Sequence, residues 1–224
     1  MVSISYVWFS VAPRNIILMR MQENKNKVIR NNEQIKCRAG EVVNLKCESN
    51  GGNPPAKLKW KVNGIIIQSS KSLISKLKNG NWRTESSITL PISKSDHSTY
   101  IVCHVQHKAL LFPLLAEAVL NVSFPPIVNS MMMPMTQFTK GDSVSLTCEA
   151  VGNPPPVISW RKVSSGQSLI NGETLYFARV SLEDAGTYQC QAENELGISQ
   201  PSLQNIDILC KYKIFKIFTY LNNF

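Results

Sequence analysis

The class of the fold is decided by two stretches, Cys148-Glu-Ala-Val-Gly-Asn-Pro-Pro-Pro-Val-Ile-Ser-Trp160 and Asp184-Ala-Gly-Thr-Tyr188-Gln-Cys190. The tryptophan follows the first cysteine by 12 residues, and the second cysteine lies 42 residues after the first. Successive side chains of a β-strand point to opposite faces, so Tyr188 and Cys190 share one face. We therefore predict that Cys190 lies in a strand and that the tyrosine ring points to the same interior.

The same pattern occurs earlier in the chain. Cys47 is followed by Trp60 after 13 residues and by Cys103 after 56 residues. Before the first of these cysteines, Val43 and Leu45 alternate with more polar positions, which indicates a half-buried strand. In both halves the first cysteine is followed by a Gly-Asn-Pro-Pro turn. The chain is therefore predicted to contain two related units.

The spacing of cysteine, tryptophan and cysteine resembles that of immunoglobulin-like domains. This resemblance implies an all-β fold made of two tandem immunoglobulin-like β-sandwiches, each with a disulfide between its two sheets and a tryptophan packed on that disulfide. The implied residues are the disulfides Cys47–Cys103 and Cys148–Cys190, the core tryptophans Trp60 and Trp160, and the corner tyrosine Tyr188.

The two units are predicted to differ in detail. Tyr100 stands three residues before its cysteine, so the first unit either lacks a corner tyrosine or contains a bulge that re-aims the ring. Only 30 residues separate Trp160 from Cys190, against 43 between Trp60 and Cys103. The middle strands of the second unit should therefore be fewer or shorter.

Four segments are predicted along the 224 residues. Residues 37–123 form a first domain of C2 type, and residues 124–208 form a second domain of I-set or C2 type. Residues 1–36 are predicted as an N-terminal tail, with a short apolar signal-like segment at its start and an Asn- and Lys-rich run after it. Residues 209–224 depart from the repeat and form an atypical tail.

The net charge of +9 is concentrated at the two ends of the chain. Residues 1–40 carry seven Lys and Arg against two Glu, and residues 205–224 carry three Lys against one Asp. The segment between them is close to neutral. The net positive charge is therefore not evidence that the folded part of the chain binds nucleic acid.

The six cysteines indicate an oxidising compartment, because two pairs are spaced as disulfides. We therefore predict an extracellular or cell-surface location. No run approaches the 18 or more apolar residues that a membrane-spanning helix needs, so any anchor is expected to lie outside this sequence. Cys37 and Cys210 have no evident partner.

No catalytic or metal-binding constellation is found in the sequence. The three histidines, His97, His104 and His107, lie without a cysteine or carboxylate cluster at metal-ligand spacing. The glycines stand in turns, which gives no support to phosphate binding. We expect a protein that is not an enzyme and has no cofactor or metal.

Longer fragments resemble tandem modules of cell-adhesion receptors. Leu120-Asn-Val-Ser-Phe-Pro-Pro126 and the stretch from Cys103 to Leu111 look like C2-type modules of the nephrin, irregular-chiasm and nectin proteins. Gly141-Asp-Ser-Val and Ala192-Glu-Asn-Glu-Leu-Gly197 are similar to the I-set type of nephrin-like receptors. The resemblance implies a fragment of a receptor that binds the ectodomain of the same or a related immunoglobulin-superfamily protein.

A partner is predicted to bind the outward side of the strands around Trp60 and Cys103. Alternating lysines beside isoleucines would surround an apolar patch with charge. The same lysines are equally typical of a solvated surface. Alternatively, the chain is a secreted immunoglobulin-like protein that binds sulfated glycans through these lysines or acts in defence. The sequon Asn121-Val-Ser is a candidate glycosylation site. The candidate contacts are Lys57, Lys59, Lys61, Ile66, Val102 and His104.

Overall fold

The computed structural model describes residues 10–23, 25–69, 71–132 and 137–209. The described elements are β-strands and two single-turn 3₁₀ helices, which confirms the predicted all-β class. The chain divides into two compact units between Ser123 and Phe124, called domain 1 and domain 2 below. Among the described residues there is no helix with the length and apolar character that a membrane span requires.

Domain 1 is a sandwich of two sheets. In the first sheet the strand order is β2-β1-β4-β8-β7, and in the second β10 pairs with β3 and β9, followed by β5 and β6. A 3₁₀ helix at Lys94–Asp96 precedes β9. The strands are β1 (Asn15–Met21), β2 (Lys27–Ile29), β3 (Glu33–Arg38), β4 (Val42–Gly52), β5 (Lys57–Val62), β6 (Ile65–Ile67), β7 (Lys71–Lys76), β8 (Trp82–Pro91), β9 (Tyr100–Gln106) and β10 (Leu114–Met132).

The structure corrects the prediction of a tail over residues 1–36. Strand β1 pairs antiparallel with β4 and places Leu18 opposite Cys47, where Leu18 is buried. Strand β2 buries Ile29, and β3 pairs in parallel with β10 in the other sheet. The N-terminal segment therefore completes both sheets of domain 1. The signal-like segment falls largely on residues 1–9, outside the described residues.

The core of domain 1 is built around the disulfide Cys47–Cys103, which the structure contains. Trp60 is buried, and its indole Nε1–H donates a hydrogen bond of 2.9 Å to the hydroxyl of Ser86. Two further buried hydroxyls, on Ser49 and Thr84, face each other across β4 and β8 and have no hydrogen-bond partner among the described residues. This core therefore combines an apolar centre with a small polar cluster.

Domain 2 begins within β10, whose residues from Phe124 onward pair with β12, followed by β15. The facing sheet has the order β11-β18-β16-β13-β14, with β17 beside β16. Strand β15 has four residues, whereas β8 has ten, in agreement with the predicted shortening. The strands are β11 (Gln137–Thr139), β12 (Val144–Asn153), β13 (Val157–Lys162), β14 (Ser168–Asn171), β15 (Thr174–Phe177), β16 (Gly186–Asn194), β17 (Gly197–Ile198) and β18 (Ser202–Leu209).

The core of domain 2 contains the disulfide Cys148–Cys190 and the buried Trp160. Tyr188 is 1% exposed, and its hydroxyl donates a 2.8 Å hydrogen bond to the backbone carbonyl of Asp184 in the preceding 3₁₀ turn. Burial, followed by the charge of Asp184, raises the pKa of Tyr188 to about 12. The ring meets Phe177 edge-on, with centroids 5.5 Å apart. The tyrosine thus ties strand β16 to the turn before it.

Replacing Tyr188 by phenylalanine should lower the free energy of unfolding of domain 2 by about 1 kcal/mol, because one partly buried hydrogen bond is lost while the ring stays. Chemical denaturation measures this change. The matched control is Tyr176→Phe, at a ring that is 63% exposed, which should leave the stability nearly unchanged. Equal effects of the two substitutions would contradict a corner role for Tyr188.

Candidate protein-binding face

The outward side of the second sheet of domain 1 is called the outward face below. It is formed by alternate residues of β5, β6, β9 and β10. Lys61 pairs with Ile66 on one side and with Val102 on the other, and Val102 also pairs with Glu117 of β10. Cross-strand partners point to the same face of a sheet, so these four side chains form one row.

A second row runs parallel to the first. Lys59 pairs with His104, and His104 pairs with Leu115. Lys57 belongs to the same face, opposite Gln106. The structure therefore brings the six residues named from the sequence to one face of domain 1. They are Lys57, Lys59, Lys61, Ile66, Val102 and His104.

Exposure differs among these residues. Lys57 and Lys59 are exposed, and Ile66 is 62% exposed. Val102 and His104 are half-buried, because β9 lies between β5 and β10. The centre of the outward face therefore consists of two partly covered side chains, one apolar and one imidazole, with lysine side chains beside them.

Two residues on this face were missed from the sequence. Tyr100 is 56% exposed and pairs with Val119, and Leu115 is 40% exposed beside His104. Parity along β9 and β10 was the signal that could have found both, since Tyr100 shares a face with Val102, and Leu115 with Glu117.

The direction of Tyr100 follows from the spacing before β9. Asp96 lies seven residues before Cys103, whereas Asp184 lies six before Cys190. The extra residue reverses the parity of the tyrosine, so its ring is on the outer face instead of in a corner. The structure thus supports the first of the two alternatives, a first domain without a corner tyrosine.

His104 is the titratable group at the centre of the outward face. Burial lowers its pKa first, and the positive charge of Lys61 lowers it further, with a smaller contribution from Lys59. Glu117 acts in the opposite direction. The imidazole is therefore neutral at physiological pH, and the positive charge of this face comes from its lysines.

Domain 1 should lose stability as the pH falls below about 6.5, the usual histidine pKa. The unfolded chain protonates His104 first, because the folded pKa is lowered, and the proton bound to the unfolded state favours unfolding. Denaturation of the parent and of His104→Gln between neutral and mildly acidic pH measures this effect. A shallower pH dependence is expected for His104→Gln, and identical slopes would contradict the assignment.

Cys37 of β3 is a free thiol that is 5% exposed, and burial raises its pKa. Its Sγ lies 3.7 Å from the carbonyl oxygen of Ile35. Cys210 lies outside the described residues, as does the atypical tail after Leu209. Among the residues that the structure describes, no group of three or more His, Cys, Asp or Glu is arranged to hold a metal ion.

Two family models match the chain. Residues 23–113 match the CD80-like C2-set immunoglobulin domain, and residues 125–194 match an immunoglobulin domain model. The first match begins before residue 37, in agreement with the strands found in the N-terminal segment.

Curated relatives and solved structures agree with these models. Cell adhesion molecule 2 of Rattus norvegicus is 30% identical over 171 residues, which cover 71% of this chain and 38% of that protein. Cell adhesion molecule 1 of Mus musculus is 29% identical over 168 residues, which cover 70% of this chain and 36% of the relative. The chain therefore spans less than two fifths of the length of these relatives.

The full ectodomain of mouse nectin-like molecule 4, with domains Ig1 to Ig3, has a similar fold. The TM-score is 0.70 at 24% identity, over 90% of this chain and 66% of the ectodomain. These comparisons do not support the expected assignment to nephrin and irregular-chiasm proteins. The chain therefore contains two tandem immunoglobulin domains, and its sequence is similar to that of cell adhesion molecules.

Proposed function

We propose that this chain acts in cell adhesion by binding another cell-surface protein through the outward face of domain 1. The observation that carries the proposal is the composition of that face. Three exposed apolar or aromatic side chains of β6, β9 and β10 share this face with the lysines of β5: Ile66, Tyr100 and Leu115. Protein interfaces combine an apolar or aromatic centre with a polar rim in this way.

The partner is proposed to be the ectodomain of the same or a related immunoglobulin-superfamily protein. The relatives named cell adhesion molecules support this class of partner. The two disulfides support an extracellular location, because such bonds persist in an oxidising compartment. The role proposed for the chain is recognition without catalysis or a cofactor.

Asn121 is proposed to carry an N-linked glycan. It lies on β10 between the buried Leu120 and Val122, on the outward side, and its amide donates a 2.9 Å hydrogen bond to Gln34. Four residues of strand separate Asn121 from Glu117, about 13 Å at the usual rise. Val119, the next residue on that side of β10, pairs with Tyr100, so a glycan at Asn121 would lie at the margin of the outward face, close to Tyr100.

Glycosylation is tested by secretion from animal cells and treatment with an N-glycosidase. The parent should lose the mass of one glycan, and Asn121→Gln should show no loss, because this is the one sequon in the sequence. Ser123→Ala should behave like Asn121→Gln, since the hydroxyl is required for recognition of the sequon. A parent chain without a mass loss would contradict the proposal.

The binding proposal is tested with two substitutions on the outward face, Tyr100→Ala and Lys59→Glu. The probes are beads that carry a second copy of the chain, and beads that carry ectodomains of cell adhesion molecules 1 to 4. We expect the soluble parent to bind at least one probe, and each variant to bind about tenfold or more weakly.

The matched controls change the same residue types in domain 2, with Tyr176→Ala and Lys140→Glu, both at exposed positions. They should bind like the parent. Binding of the parent to none of the probes, or equal losses in variants and controls, would contradict the proposal. Retention on heparin that is lost at moderate salt, together with no protein binding, would favour the sulfated-glycan alternative.

A further inference from the structure

Strand β6 forms one edge of the second sheet of domain 1. It is joined to β5 by the two-residue turn Asn63-Gly64, whose φ angles of 48° and 80° are typical of a tight hairpin. Within the described residues, β6 pairs with β5 and with no strand on its other side. The outer backbone groups of this strand are therefore available to a further strand.

The edge is apolar on both faces of the sheet. Ile66 lies on the outward face with Lys61 and is 62% exposed, and Ile65 lies on the opposite face with Val62 and is 70% exposed. A partner that lies flat on one face of the sheet covers only one of these two isoleucines. An added strand covers both, because its own side chains project to the two faces alternately.

The two edge strands of the first sheet of domain 1 carry lysines that β6 lacks. Strand β7 begins and ends with lysine, at Lys71 and Lys76, and β2 begins with Lys27. Lysine on an edge strand opposes pairing with another chain, because pairing would desolvate its charge. Strand β6 consists of three isoleucines, so it lacks this protection.

We infer that β6 pairs edge to edge with β6 of a second copy of this chain. Two uncharged isoleucine strands related by a two-fold axis bring no like charges into contact. Lys61 pairs with Ile66, so in the register that places Ile66 opposite Ile66 the Lys61 residues of the two copies are three strand spacings or about 14 Å apart, beyond the Debye length of about 8 Å at physiological salt. An acidic partner, in contrast, would meet no charge on this strand.

The contact is small, since a three-residue strand buries far less than the roughly 1,200 Å² of a stable complex. We therefore expect weak association that becomes significant when many copies are held close together, as on a cell surface. The inference does not depend on which partner the outward face binds, although Ile66 is common to both surfaces.

Cysteine cross-linking of the full chain tests the pairing. Each isoleucine of β6 is replaced in turn by cysteine, in a background with Cys37→Ala and Cys210→Ser, and the folded variants are mildly oxidised alone and in pairwise mixtures. Directly opposed residues of antiparallel strands have Cα atoms about 4.5 to 5.5 Å apart, within disulfide reach. One register should thus dominate, such as Ile66→Cys with itself or Ile65→Cys with Ile67→Cys.

The matched control is Leu73→Cys, at a 51% exposed position on the lysine-flanked edge strand β7. We expect at least about fivefold more covalent dimer from the best β6 combination than from this control, because only opposed strands meet the geometry of a disulfide. Yields at or below the control for every combination would overturn the inference. Because Tyr100→Ala and Lys59→Glu leave β6 intact, they should not change the cross-linking, which separates this result from the binding test.

Discussion

The double substitution C148A/C190A should lower the free energy of unfolding of domain 2 by about 4 kcal/mol. The disulfide closes a loop of 42 residues, and loss of that restraint returns conformational entropy to the unfolded chain. The stability of a typical domain is only about 5–15 kcal/mol, so much of domain 2 should become unfolded under mild denaturant. Hydrogen exchange of β12 and β16 during urea titration measures the change for this domain.

The control for this prediction is Cys37→Ala, which removes a buried thiol from domain 1 but opens no loop. It should leave exchange in domain 2 as in the parent. A loss below about 1 kcal/mol in C148A/C190A would contradict the prediction, because it would mean that the disulfide restrains the unfolded chain very little.

Trp60→Ala should destabilise domain 1 by about 3–5 kcal/mol, because it removes the largest fully buried side chain beside the Cys47–Cys103 disulfide. The Ser86 hydroxyl would also lose the indole that donates to it. Urea denaturation followed by hydrogen exchange of β4 and β9 measures the loss.

Trp82→Ala is the matched control, since Trp82 belongs to the same domain but is only half-buried, with the ammonium of Lys76 5.7 Å from the centre of its ring. The control should cost clearly less than Trp60→Ala. Trp60→Phe should fall between the two, because a ring remains while the hydrogen bond is lost. An equal loss in Trp60→Ala and Trp82→Ala would contradict a central role for Trp60.

Strands that are buried on one face were predictable, because burial imposes alternation on their sequences. Val43, Leu45 and Cys47 alternate along β4 and are buried in the structure. The Asn63-Gly64 turn was predictable for a different reason, since few residues adopt positive φ angles at both positions of a tight hairpin.

The inner N-terminal strand β1 was not predictable, because its own sequence carries little alternation. Strand β1 contains four consecutive apolar residues, from Ile16 to Met19, next to an Asn- and Lys-rich run. Its place in the sheet is decided by pairing with β4, and Leu18 is buried because it lies opposite Cys47. Tertiary pairing of this kind overrides local propensity, so a solvated tail was expected where the structure has an inner strand.

The residues of the outward face on its inner strands were predictable from sequence, whereas the prediction was incomplete at the margins of the face. Alternation around Trp60 and Cys103 placed Lys59, Val102 and His104 on one side before any pairing was known. Alternation along β10 also places Leu115 on the outward side, but that it lies beside His104 depends on the register between β9 and β10, which no single strand reveals. The side on which a residue lies is therefore predictable from its own strand, whereas its neighbours on the next strand are not.

The accessibility of the Cys37 thiol reports whether the second sheet of domain 1 has formed. The side chain becomes inaccessible once β3 pairs with β10, whose Val122 lies opposite it. Until then the thiol can attack a disulfide that is still forming, since such exchange needs an accessible thiolate. An alkylating reagent given in short pulses during secretion should therefore label Cys37 in early chains and spare it in finished ones, and the loss of labelling on the Cys37 peptide would time the closure of this sheet.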